Sequence, residues 1–417
     1  MAGVSRPDEG AASDSIRFHP ALGAGVLRLS DIAVGRYNNF NLIRLIAALS
    51  VIFSHSVAAL GLPPEREVFF GRVGFSLAEM AVDVFFVTSG FLVTGSLIGR
   101  GSLNAFLWAR ALRIYPALWV MLVVTVFGLA PALTSLPLAD YFAAPRTREY
   151  FIKCATLIWG LRYSLPGVFE TLPLKGEFNG SLWTLPIEVR LYLNLAAAWF
   201  VLALLPAFRV RALKLALLFA AAAWFVFILR IKFTGGANGP DIRVFMFLYG
   251  SALYLWRDRI PIGWAGLVAL PAALLAASVD KTVFFVVYSL CLAPLVMHLA
   301  YLPGGAIRRF NEWGDLSYGV YIWAFPIQQT LALAFPGLSL WGMVVLSSAL
   351  SLAVAHLSWR LIEKRALAMK GDCAVATASG ASALGGYFVR GSFAKALMPG
   401  PGATRQRDSI TRRNRSR

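Results

Sequence analysis

A chain of 417 residues that is 58% hydrophobic and only 14% charged, with a mean hydropathy of +0.66, is not built like a soluble domain, which carries about 25% charged residues. A net charge of +18 would suit a nucleic-acid binder, but eleven Lys/Arg against two Asp lie after Glu363 and much of the rest flanks apolar runs, as topology signals and contacts with anionic lipid do. Repeated long apolar runs point to an all-α polytopic integral membrane protein, a bundle of about ten transmembrane helices, whereas a β-barrel would show short alternating strands.

Residues 1–40 hold four Arg, four acids and scattered small residues, which predicts a disordered cytoplasmic tail without a cleavable signal sequence. The first predicted helix, 41–60 (NLIRLIAALSVIFSHSVAAL), stops at Gly61-Leu62-Pro63-Pro64. The second is placed at 79–99 and the third at about 114–133. Residues 134–180 make the longest loop, with a short amphipathic stretch at 150–160. The fourth helix follows at 182–206 and the fifth at 213–231, with the TGGANGP turn after it. The remaining helices are placed at 242–256, 262–279, 283–302, 314–335 and 339–361. Arg100, Arg110 and Arg113, then Arg209, Arg211 and Lys214, then Arg257 and Arg259, then Arg308 and Arg309 mark the inward loops. The positive-inside rule therefore puts both termini in the cytoplasm, with Arg230, Lys232 and Arg243 as exceptions on the other side. Three segments result: the tail at 1–40, a membrane domain at 41–363 and a flexible basic cytoplasmic tail at 364–417. The three cysteines, Cys154, Cys291 and Cys373, show neither disulfide nor metal-ligand spacing, so no metal site is expected. Gly95 and Gly99 form a GxxxG pair, a weak sign of close helix packing.

Ionisable residues inside spanning helices are costly and usually face the bundle interior or a water-filled cavity. Arg44 and His55 are eleven residues apart, which puts them on one face of the first helix with about 16 Å between them along the axis. Each alone reads equally as a snorkelling arginine and a helix-contact histidine; the pair on one face favours function. Ser89 is not in a nucleophile elbow, since residue 87 is Val, and reads as a packing serine beside Gly90. Arg110 and Arg113 neighbour one another at an inner helix mouth and fit either a topology signal or the docking of ligand phosphates. Glu188 falls at a depth similar to that of His55 by helical rise, unless it pairs with Arg190 or Arg44 as structural ballast. His298 and His356 read as helix-contact residues.

Several segments together resemble the membrane-bound acyltransferase family 3, bacterial O-acyltransferases of surface carbohydrates that include modifiers of Nod factors, exopolysaccharides and O-antigens. They are RLIAALSVIFSH (Arg44-x10-His55), VDVFFVTSGFLVTGS, RALRIYPALW (Arg110-x2-Arg113), NGSLWTLPIEVRLY, LSYGVYIWAFPIQQ and SWRLIEKRAL. Their order and spacing cover most of the membrane region. The resemblance implies transfer of an acyl group, most commonly acetyl, from cytoplasmic acyl-CoA to a hydroxyl of a cell-surface or lipid-linked glycan, by a multi-pass protein of the bacterial inner membrane. It implies His55 as general base or acyl carrier, with Arg44 and Glu188 as further catalytic residues and Arg110 and Arg113 handling acyl-CoA. No permanently bound cofactor is implied. Many members carry His where this chain has Ala324, so a base at that position is excluded here. The competing classes are a proton-coupled or anionic-solute transporter and a non-catalytic scaffold. The absence of repeated halves argues against the first, and the second leaves Arg44 and His55 unexplained.

Overall fold

The computed structural model describes residues 26–33, 35, 37–100, 102–234 and 239–370. The tails at 1–25 and 371–417 lie outside it. Ten long helices dominate: α1 (Phe40–Ala59), α2 (Leu77–Arg100), α3 (Leu103–Val124), α4 (Leu185–Val201), α5 (Arg209–Phe233), α6 (Gly239–Leu255), α7 (Trp264–Ala277), α8 (Lys281–Tyr301), α9 (Ser317–Ala334) and α10 (Leu340–Ser358). A π-helical turn carries α3 on to Leu133, and another carries α10 on to Ala368, past the start expected for the basic tail. No strand forms among the described residues, apart from two isolated bridges.

Seven helical runs are long and apolar enough to cross a membrane, those containing α1, α2, α3, α4, α5, α8 and α10. The protein is thus a multi-pass membrane protein, but length and composition do not separately support all ten expected spans. The reasons are local. The described part of α6, Ile242–Leu255, and α7, Trp264–Ala277, are both short, and the 14 residues of α7 rise only about 21 Å against an apolar core of about 30 Å. In α9, Ser317, Gln328 and Gln329 dilute the apolar run, and all three are buried.

The site rests on α1, α2 and α9. On α1, Leu45, Ala48 and Ile52 make a seam with Val320 and Ala324 of α9 and Ala355 of α10; small side chains let the helices approach closely. Gln328 of α9 donates to Ile52 O and Ser56 Oγ of α1, both at 2.7 Å, and this tie in a dry interior fixes the register of the two helices. On the far side α2 lies against α6 with backbones nearly touching. A Cβ at Gly90 would meet Phe247 O at 2.0 Å, and one at Gly250 would meet Val87 O at 2.2 Å. The expected Gly95–Gly99 pair is used only in part: Gly95 receives the Tyr254 ring, and nothing comes within 4 Å of a Cβ at Gly99.

The long loop at 134–180 is folded. Two helices, Leu138–Ala143 and Pro145–Thr156, are tied back to the bundle by Tyr141, whose hydroxyl donates to Val126 O at 2.9 Å. Asn179 donates to Ile322 O at 2.9 Å, and Gln329 donates to Leu174 O and Glu177 O. The loop thereby pins α9 and the start of α4. The stretch just before α1 is also docked: Leu29 is fully buried and its amide donates to Ile260 O at 2.9 Å.

Candidate active site

Asp315, at the entry to α9, ties α1 and α3 to that entry. Its Oδ2 accepts from Arg44 Nη1 of α1 at 2.7 Å and from Arg113 Nη2 of α3 at 2.5 Å. Arg113 also reaches Glu363 Oε2 at 3.3 Å, and Ser358 donates to the other Glu363 oxygen at 3.0 Å. Sequence reasoning missed both acids. Asp315 stands just before the Leu316 N-cap of α9, where an acid is commonplace, and its Oδ1 accepts from Ser317 N at 3.2 Å. Arg113 is accordingly held by two carboxylates. Arg110, one turn earlier, lies with its guanidinium 6.0 Å from the Tyr192 ring centre, and its buried Nε lacks a hydrogen-bond partner.

Above this cluster a small inner chamber is lined by Arg44, Val82, Phe85, Phe86, Ser89, Thr184, Leu185, Glu188, Tyr318 and Tyr321. Glu188 accepts from the Tyr192 hydroxyl and from Ser89 Oγ at 3.1 Å. Ser89 and Tyr192 are 2.8 Å apart. Ser89 is therefore a polar partner of Glu188, and the close packing expected of it is done by Gly90. Glu188 pairs with neither Arg190 nor Arg44.

A second chamber of about 110 Å³ is lined by Val51, His55, Ala78, Glu79, Val82, Trp183, Arg243 and Tyr321. Val82 and Tyr321 border both chambers. The Tyr321 hydroxyl hydrogen-bonds that of Thr184 at 2.7 Å, and its ring packs edge-on against Phe85 at 5.7 Å. Arg44 and His55 thus open onto the same side of α1 at two levels. His55 packs edge-on against Phe325 at 5.2 Å, beside the buried Ala324. Its Nδ1 is buried without a hydrogen-bond partner. His55 and Glu188 line different chambers, so the structure does not join them as base and orienting acid. Arg243, read from sequence as a topology exception, is 3% exposed and paired with the fully buried Asp83 at 3.5 Å. Such pairing makes a buried basic residue tolerable within an apolar bundle. His298 is a helix-contact residue: its Nδ1 lies 2.8 Å from Pro294 O, and its ring covers Gly266.

The arrangement has a cluster of arginines, a histidine whose Nδ1 lacks a hydrogen-bond partner and two adjoining chambers that each hold charged side chains. Comparisons with known proteins give the family. The model of a family described as an acyltransferase domain matches residues 37–360. The chain is 31% identical over 376 residues to nodulation protein 10 of Rhizobium leguminosarum bv. viciae, covering 81% of this chain and 95% of that protein. It is 31% identical over 354 residues to an O-acetyl transferase of Shigella phage Sf6, covering 79% and 96%. It is 26% identical over 341 residues to the peptidoglycan O-acetyltransferase OatA of Listeria monocytogenes serovar 1/2a, covering 70% of this chain and 52% of that protein. No solved structure matches. Fold, site and relatives together define a multi-pass membrane O-acyltransferase. The chain belongs to the membrane-bound acyltransferase family 3.

Proposed function

We propose that this enzyme moves an acyl group, acetyl in the first instance, from cytoplasmic acyl-CoA to a hydroxyl of a cell-surface or lipid-linked glycan at the bacterial inner membrane. The observation that carries the reading is the pair of chambers sharing Val82 and Tyr321, with Arg44 and Glu188 at one level and His55 and Arg243 at the other. This layout suits a donor and an acceptor that arrive from opposite sides. The name of the Listeria relative, a peptidoglycan O-acetyltransferase, supports a glycan acceptor. In this reading all ten long helices take part in the membrane bundle and both termini are cytoplasmic.

Arg110 and Arg113 hold CoA phosphates at the inner mouth, where guanidinium forks match phosphate oxygens. Arg113 is preset by Asp315 and Glu363, and Arg110 is the less committed of the two. Arg44 and Glu188 steer the thioester arm through the inner chamber. His55 acts as general base, since a sugar hydroxyl is a weak nucleophile at neutral pH and imidazole titrates close to it. The test is mass spectrometry of surface glycans from wild-type cells, a deletion and the deletion complemented with His55→Ala. Loss of one acyl mass in the deletion, restored by wild type and not by the variant, is expected. Restoration by the variant would sink the reading.

A further inference from the structure

Acyl transfer from a thioester passes through a tetrahedral intermediate whose oxygen carries negative charge, and donors placed for that charge are usually the largest catalytic contribution. Four arginines border the polar interior. Arg44 is paired with Asp315 and lines the inner chamber. Arg113 sits between Asp315 and Glu363, and Arg110 lies over Tyr192. Of these four arginines, Arg243 is the one that lines the chamber that contains His55, together with Glu79.

Arg243 is also built into its position. Its Nε is 3.5 Å from Asp83 Oδ1. The Tyr288 hydroxyl donates to the other Asp83 oxygen at 2.9 Å, and the guanidinium stands 5.3 Å from the centre of the Trp183 ring. Three helices and the lead-in to α4 therefore hold one guanidinium at the wall of the chamber that His55 also lines. A desolvated ion pair contributes little to stability compared with an apolar replacement, so its retention at a chamber wall calls for another explanation.

We propose that Arg243, rather than Arg44, supplies the positive charge that receives the oxyanion, and that Asp83 is its positioning residue. The assignment rests on the acyl-transfer reading above. In the step, the acceptor hydroxyl oxygen bonds to the thioester carbonyl carbon while its proton passes to His55. The carbonyl π electrons move to oxygen, and Arg243 N–H groups hold that oxyanion. Collapse re-forms the carbonyl and breaks the C–S bond. The CoA thiolate leaves and takes the proton back from His55, so the products are an ester and CoA thiol.

The test uses the purified full chain in detergent, deuterated acetyl-CoA, and surface glycan of the producing cell stripped of its O-acyl groups by mild alkali. Arg243→Gln is expected to lower kcat by about 10²–10³, with KM for acetyl-CoA within about threefold of wild type. Arg243→Lys, which keeps a charge beside Asp83, is expected to retain an intermediate kcat, and Asp83→Asn to lower kcat less than Arg243→Gln does. Thermal midpoints and elution volumes report folding; if Arg243→Gln does not fold, Arg243→Lys carries the test, with at least a tenfold loss of kcat at unchanged KM for acetyl-CoA. A folded Arg243→Gln or Arg243→Lys protein with wild-type kcat would overturn the assignment alone. A wild-type protein that transfers no deuterated acetyl would overturn the acyl-transfer reading, and this one with it.

Discussion

Asp315 neutralises two guanidinium groups that come from different helices, so its removal leaves both short of a partner. Breaking a buried pair in this way costs about 3–5 kcal/mol. Asp315→Ala is therefore expected to lower the thermal midpoint in detergent by roughly 5 °C, since an unfolding entropy of about 2.1 cal/mol/K per residue makes 1 kcal/mol worth about 1 °C in a chain this long; a calorimetric or dye-based melt checks this. His55→Ala is expected to keep the midpoint within a few degrees and to lose at least about 10²-fold in acyl transfer, the scale of general-base catalysis. Glu67, in the loop after α1, offers a pH test. Its Oε2 accepts from Ser54 Oγ at 2.9 Å, but burial outweighs that bond and pushes the carboxyl up. A raised carboxyl contributes stability that is present below its unfolded value, about 4.3, and lost as pH rises through the folded value. Relative to Glu67→Gln, wild type is thus expected to gain thermal stability as pH falls from 7 toward 4, and melts of the two proteins across that range measure it. Arg44, His55 and Glu188 were legible as polar residues within apolar runs, and Arg110 and Arg113 as a basic pair expected just before the third helix, which in the structure begins earlier, at Leu103, and contains them. Asp315 and Arg243 were not, because a helix-entry acid and a topology exception are the commoner meanings of such residues, and only the folded chain shows what they face.

Among the elements, the α2–α6 crossing is the tightest helix contact at the glycines. Gly90 has ordinary helical backbone angles but no room for a Cβ, which would sit 2.0 Å from Phe247 O. Gly90→Ala must separate the two helices, and overpacking of this kind costs about 1–3 kcal/mol. Gly99→Ala meets nothing within 4 Å and replaces a poor helix former by the best, which favours the helix by up to about 1 kcal/mol. Melts of the two variants should move in opposite directions. The GxxxG spacing pointed to the right helix and to one real contact, at Gly95, but missed the tighter one at Gly90, since spacing alone does not say which turn meets a neighbour. Pinning of α9 by Asn179 and Gln329 was likewise invisible, because it depends on a loop that folds back over about 150 residues of sequence.

For the molecule as a whole, the all-helical membrane class followed directly from hydropathy, because lipid leaves helices and closed barrels as the only spanning forms. The number of spans did not follow as cleanly: α6, α7 and α9 are short or carry polar side chains inside the bundle, and their place depends on neighbours rather than on their own composition. The account's central claim is that acyl donor and acceptor reach one site from opposite sides. Reconstitution into liposomes tests it most directly, with deuterated acetyl-CoA added to one compartment and base-treated surface glycan sealed in the other. The account predicts labelled ester on the glycan across the bilayer with wild-type protein and none with His55→Ala. Label that appears only when both substrates share a compartment would contradict it.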